Sequence, residues 1–149
     1  MVTKGKTTPF SLWMYAKEFA DAGKIVRTNI GSTVSMPALF LFGQSTELSL
    51  KAFLLGRGIS LDDLKNKPYG HNLKELLKEA RRRRLGLEVK LKPVDLGVIG
   101  LLNYEYLPRR YQYSQKEKGD TMYVPTLELA EATAFKLVRG LYLYCGKHS

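Results

Sequence analysis

The chain has 149 residues, 44% of them hydrophobic and 26% charged, a balance that excludes wholesale disorder and fits one globular domain. A single cysteine excludes an intramolecular disulfide, and the sequence has neither a signal-peptide pattern nor a run of about 18 apolar residues, so we expect a cytoplasmic protein without a membrane span. The formal net charge of +10 favours phosphate-rich partners, because a basic surface attracts them and raises their rate of encounter.

The first predicted element is a helix that begins at Thr8 and Pro9, after an N-terminus, residues 1–8, that we expect to be flexible. Proline is favoured at the first helical position. Apolar and small residues then recur at steps of three and four: Leu12, Tyr15, Ala16, Phe19, Gly23 and Val26. This spacing predicts one buried face along the helix.

The second predicted helix begins near Ser35 or Pro37 and ends at about Leu55, before a Gly-Arg-Gly stop. Its apolar residues surround nearly the whole cylinder, as is typical of a core helix. A narrow polar strip interrupts them: Gly43 and Gln44 lie four and three residues before Glu47, and Lys51 lies four residues after it. Glu47 and Lys51 have the favoured order for an ion pair on a helix. The strip either faces solvent or lines a polar cleft.

A third helix is predicted to begin within a residue or two of His71, because Asn72 and Glu75 have the spacing of a capping-box variant. Gly86 suits the end of this helix, since glycine readily adopts left-handed backbone angles. The run Arg81–Arg84 places positive charge at the negative helix terminus. Consecutive helical residues point in different directions, so we interpret the run as a solvated helix end.

The last third of the chain is predicted to hold a short helix from about Leu96 to Tyr106, a long basic and aromatic loop, and a last helix that opens at Pro125. Residues 145–149 are expected to form a frayed tail. Five helices without an alternating strand pattern predict one all-α domain over residues 1–149, an up-and-down bundle of four to five helices.

The loop before the last helix carries the residue types of a phosphate site. Arg109 and Arg110 can make forked bonds to phosphate oxygens, and Tyr113 can stack on a base. Residues 81–118 hold ten Lys or Arg against four Asp or Glu, so the positive charge is concentrated around this loop. The alternative is a loop whose arginines are solvated and whose tyrosines cover the end of the bundle.

The histidines and the cysteine predict no metal centre. His71 stands at a helix start, which is more typical of a structural hydrogen bond than of catalysis, and His148 lies in the expected tail. These two with Cys145 lack metal-ligand spacing, and the sequence has no phosphate-binding glycine motif or nucleophile elbow. We therefore expect no metal and no cofactor.

The order of "ELSLKAFLLGRG", "YGHNLKELL", "RRYQY" and a long terminal helix resembles the HEPN family, the higher eukaryotes and prokaryotes nucleotide-binding domain. The resemblance covers about Leu12 to Tyr144. It implies a helical bundle, frequently dimeric, that binds nucleotides or binds or cleaves RNA. It also implies a role in toxin–antitoxin, phage-defence or stress systems.

The sequence departs from the ribonuclease motif of that family, an arginine followed after four to six residues by a histidine. Gln115, Lys116 and Glu117 stand where a histidine would follow Arg109 or Arg110. Loss of a general acid or base removes about 10²–10⁴ in rate. This departure favours binding without efficient cleavage.

The resulting leading hypothesis is a noncatalytic module that binds a nucleotide or RNA. Its expected ligand-binding residues are Glu47, Lys51, Arg109, Arg110 and Tyr113. One alternative is a divergent, metal-independent ribonuclease that uses His71 or a tyrosine such as Tyr113 with Arg110. Another is a homodimeric interaction module whose basic surface engages an acidic protein.

Overall fold

The computed structural model describes residues 5–31, 34–106 and 123–149, with residues 104–106 described by their backbone alone. Within these residues the chain is all-α, as predicted, and no strand occurs. The helices are α1 (Pro9–Ile30), α2 (Met36–Gly56), α3 (Leu61–Lys65), α4 (Leu73–Arg82), α5 (Pro93–Tyr106) and α6 (Leu127–Lys147), with a 3₁₀ turn at Leu85–Leu87. None of the helices in these ranges combines the length and apolarity that crossing a membrane requires.

Helix α2 lies at the centre of the bundle. It packs against α1, α4, α5 and α6. The largest of its wholly buried side chains are Leu39, Phe42, Leu50, Phe53 and Leu54. This agrees with the apolar surface predicted around nearly the whole helix, because such a helix is stable only when neighbours cover it on several sides.

Side-chain caps begin α1, α2 and α4 where the sequence predicts them. Thr8 Oγ1 accepts a hydrogen bond from the backbone N–H of Ser11 at 3.1 Å, and Ser35 Oγ accepts from the N–H of Ala38 at 3.3 Å. Asn72 Oδ1 accepts from the N–H of Glu75 at 3.2 Å. Each bond satisfies a donor that the first helical turn leaves without a partner, which explains why these starts are readable in the sequence.

One detail of α1 differs from the prediction. Tyr15, placed on the buried stripe by its spacing, is 56% exposed. Helix α1 ends at Ile30, where Gly31 adopts a left-handed φ of 64°. Gly23 is required by packing, since an added Cβ would lie 2.6 Å from the Phe42 ring.

The segment between α2 and α4 contains a short helix of its own, α3. Ser60 Oγ accepts from the N–H of Asp63 at 3.1 Å and begins the short helix α3, whose Leu64 is wholly buried. Helix α4 then ends at Arg82, and Arg84 adopts the left-handed φ of 68° that was predicted for Gly86. The chain therefore turns at Arg84, two residues before Gly86, and Leu85 lies in the core, where it is 1% exposed. Burial of that leucine therefore outweighs the conformational preference of glycine.

Helix α5 begins at Pro93, three residues before the predicted start at Leu96. The Asp95 carboxylate accepts from the N–H of Lys92 at 2.8 Å, from the Thr133 hydroxyl at 2.8 Å and from Lys136 Nζ at 2.6 Å. Asp95 is 3% exposed, and these donors lower its pKa against the opposing effect of burial. The buried acid thus caps α5 and joins it to α6.

Helix α6 begins at Leu127 because Thr126, rather than Pro125, provides the cap: its Oγ1 accepts from the N–H of Leu129 at 3.2 Å. Residues 145–147, which we expected in a frayed tail, form the last turn of α6, and Cys145 is wholly buried. Ser149 Oγ accepts from the N–H of Phe10 at 2.9 Å. The end of the chain therefore contacts the start of α1.

Candidate functional site

The polar strip of α2 centres on Glu47. Lys51, one helical turn later, donates from Nζ to Glu47 Oε2 at 3.0 Å. Nδ1 of His71 lies 3.0 Å from the other carboxylate oxygen, Oε1. One carboxylate therefore holds two basic side chains, one from its own helix and one from the turn before α4; we call these three residues the Glu47 triad.

Burial rejects one of the two interpretations that the sequence leaves open, while a polar cleft lined by the strip stays a prediction. Glu47 is 2% exposed and Lys51 is 8% exposed, so the solvent-edge interpretation is wrong. Gly43, in the same strip, is buried as well. Moving a carboxylate and an ammonium out of water is costly unless they pair closely and hydrogen-bond, and this strip provides both conditions.

His71 connects the buried pair to the surface, because its side chain is 62% exposed. It precedes the Asn72 cap of α4, so the turn that begins α4 also delivers the imidazole to Glu47. An ionised carboxylate only accepts hydrogen bonds, so Nδ1 must carry the shared proton. In the neutral ring the basic nitrogen is then Nε2, and carboxylate–histidine pairs of this kind orient the imidazole in general-base catalysis.

The structural role favoured for His71 by its position is confirmed by this hydrogen bond, whereas a catalytic role stays a prediction. Arg109, Arg110 and Tyr113 lie outside the described residues. Their membership of one site with the Glu47 triad therefore also stays a prediction.

A row of cations follows His71 along α4. Lys74, Lys78 and Arg81 recur at steps of four and three residues, so they share one face of the helix, and all three are exposed. Within the described part of the chain, none of the three lies within ion-pair distance of a carboxylate. We call them the α4 basic stripe. Their spacing is visible in the sequence. The run of four arginines that begins at Arg81 is a more conspicuous pattern, so the spacing is easily overlooked.

The arginine run itself divides between two roles. Arg82 and Arg83 both donate to Glu79, at 2.9 Å and 2.7 Å through their Nε atoms. These side-chain hydrogen bonds lower the pKa of Glu79 from 4.5 to about 2. Arg81 and Arg84 stay exposed, which agrees with the solvated helix end that the sequence predicts.

Arg57 and Arg83 join the end of α2 to the end of α4. Arg57 Nε donates to the carbonyl of Arg83 at 3.0 Å, and Arg83 Nη1 donates to the carbonyl of Arg57 at 3.2 Å. The Arg57 guanidinium also lies over the rings of Phe53 and Tyr144, 4.8 Å and 4.9 Å from their centroids. No local sequence pattern indicates this contact, because the two arginines cap the ends of different helices and are 26 positions apart.

Other conventional reactive centres are not assembled in the described ranges. No group of three or more His, Cys, Asp or Glu side chains there is arranged to hold a metal ion. Burial raises the pKa of the Cys145 thiol to about 12, so at neutral pH it is a thiol rather than a nucleophilic thiolate.

Comparison of the chain with protein-family models, with curated proteins and with solved structures finds no match. The resemblance to the HEPN family therefore depends on the short motifs around Glu47, His71 and the arginine pair.

Proposed function

We propose that this chain is a nucleotide- or RNA-binding helical module of HEPN-like type, whose binding surface begins at His71 and continues along the α4 basic stripe. The observation that carries the proposal is the stripe itself. Three exposed cations lie on one helix face without carboxylate partners among the described residues, beside an exposed imidazole held by a buried acid. Such a surface favours a polyanion, because every phosphate contact releases condensed counterions.

The Glu47 triad is proposed to position the His71 imidazole rather than to attract phosphate by its own charge. Lys51 is compensated by Glu47, so its attraction for phosphate is smaller than that of Lys74 or Lys78. The acid instead fixes the imidazole of His71 at the start of the stripe. Arg109, Arg110 and Tyr113 are proposed to complete the surface, with the arginines on phosphate and the tyrosine on a base.

The direct experiment is a fluorescence-anisotropy titration of a labelled single-stranded RNA at two salt concentrations. Three phosphate contacts predict that affinity falls about 20-fold between roughly 50 and 200 mM salt. Lys78→Ala should weaken binding and reduce the salt slope by about one contact. Binding that is absent at low salt, or insensitive to salt, would count against the proposal.

Lys24→Ala is the matched control. Like Lys78, Lys24 is exposed and has no ion pair within the described residues, and it lies on α1, a helix that packs on α2 and α6 rather than on α4. An equal loss of affinity in Lys24→Ala and Lys78→Ala would show that net charge, rather than this helix face, attracts the RNA.

A second candidate function is an RNA-cleaving activity that depends on His71, and the contact between Nδ1 and Glu47 Oε1 is the observation that favours it. The oriented imidazole would accept the proton of the attacking ribose hydroxyl, while an arginine neutralises the phosphate. The test is to incubate purified protein with RNA, measure cleavage, and repeat the measurement with the His71→Ala variant. Cleavage that this variant loses would separate the candidate from binding alone.

A further inference from the structure

A cavity of about 330 Å³ lies where α4 ends and the chain turns toward α5. Its lining is formed by Arg81, Leu85, Gly86, Val89, Lys90 and Leu91. The volume is at the lower end of the range of small-molecule sites, which limits a ligand to a compact one.

The lining combines an apolar floor with two cations. Leu85 and Val89 are 1% and 4% exposed, so the floor is continuous with the core of the bundle. Arg81 and Lys90 are exposed, and within the described residues neither has a carboxylate at ion-pair distance. None of the six lining residues is acidic, so the positive field at the cavity is not cancelled from within its own wall.

A second cavity, of about 280 Å³, provides a contrast. It also contains an arginine and a lysine, but Asp63 is part of its lining and its Arg83 is already held by Glu79. Arg83 there is paired, and the Asp63 carboxylate in the lining opposes the charge of Lys67. Of these two cavities, only the first has two cations without ion pairs among the described residues and no acidic residue in its lining.

We propose that the cavity at the end of α4 binds a nucleoside monophosphate, with the base against Leu91 and the phosphate between Arg81 and Lys90. Leu91 is half-buried and leaves apolar surface that a planar base can cover, and the arginine fork with the lysine ammonium matches a phosphate dianion. The proposal goes beyond RNA binding by the α4 basic stripe, because Lys90 and the apolar floor of the cavity do not belong to the stripe, and Arg81 is the one residue that the two share.

Gly86 provides a test that changes no charge. A Cβ added there has nothing within 4 Å, and its φ lies outside the left-handed region, so Gly86→Phe should fold and add a bulky ring to the lining of the cavity. The double variant Arg81→Ala with Lys90→Ala removes the phosphate contacts instead. Lys92→Ala is the control, because Lys92 is exposed close by but does not line the cavity.

The experiment is calorimetric titration of the full chain with adenosine 5′-monophosphate, with adenosine and inorganic phosphate titrated separately. We expect Gly86→Phe and the double variant each to raise the Kd at least tenfold and Lys92→Ala to change it less than twofold. Each part of the ligand alone should bind at least tenfold more weakly than the whole.

Three outcomes would overturn the proposal. They are undetectable binding of adenosine monophosphate at millimolar concentration, an unchanged Kd in folded Gly86→Phe, and equal losses of affinity in the double variant and Lys92→Ala. Because Gly86→Phe preserves every cation of the stripe, its RNA titration stays normal if only the cavity is blocked, so the two proposals fail separately.

Discussion

Glu47 and His71 are 24 positions apart, yet Oε1 of the glutamate lies 3.0 Å from Nδ1 of the histidine. The same carboxylate binds Lys51 through its other oxygen. Since Glu47 is almost wholly buried, these two contacts replace its hydration. The junction between α2 and α4 therefore depends on a compensated buried charge.

Glu47→Gln should destabilise the protein by about 3–5 kcal/mol, because it leaves the Lys51 ammonium buried without a counter-charge. Urea unfolding followed by circular dichroism measures the loss. Glu47→Leu combined with Lys51→Met removes both charges and should cost less than Glu47→Gln alone. A loss below about 1 kcal/mol in Glu47→Gln would contradict the compensated-pair interpretation.

His71→Ala should reduce stability by about 1–3 kcal/mol, because it leaves Oε1 of the buried Glu47 carboxylate without this hydrogen-bond donor. If the protein cleaves RNA through this imidazole, the same change should lower the cleavage rate by about 10²–10⁴. Lys74→Ala, which alters a neighbouring cation, should affect RNA binding more than the rate at saturation. Full cleavage by His71→Ala would exclude the imidazole as the base.

Glu79 should make stability depend on pH in the acid range. Its pKa is about 2 in the folded protein, below the ordinary 4.5, so its stabilising contribution is complete above pH 4.5 and is lost as pH falls toward 2. Glu79→Gln should cost about 1 kcal/mol at neutral pH, since Arg82 is well exposed to screening solvent. The free energies of unfolding of the parent and of Glu79→Gln should approach each other as the pH falls from 4.5 toward 2. Glu75→Gln, on the same helix but without an ion pair within the described residues, should leave the profile unchanged.

Cys145 should resist alkylation in the folded protein. It is wholly buried, and a pKa of about 12 leaves very little thiolate at neutral pH. Mass spectrometry after iodoacetamide treatment should find one alkylated cysteine in urea and almost none in native buffer. Equal rates of alkylation in the two conditions would show that the end of α6 opens readily.

Local signals made much of the fold predictable. Thr8, Ser35 and Asn72 begin helices because each side chain satisfies a backbone donor within three residues, and such a bond needs no other part of the chain. The apolar circumference of α2 likewise predicts its central position.

Errors arose where packing overrode local preference. Arg84 rather than Gly86 adopts the left-handed angle, because Leu85 must reach the core. Tyr15 has the spacing of a buried residue but is 56% exposed. Spacing identifies a face of a helix, but the neighbouring helices determine how wide that face is.

The sequence by itself determined the helical class, the main helix starts, the excess of positive charge and the pairing of Glu47 with Lys51. Only the tertiary structure decided that this pair is buried, that His71 is its third member, and that Arg81 and Lys90 share a cavity. The reason is physical: caps and one-turn pairs form within a few residues, whereas burial and contacts between helices depend on how the whole chain packs.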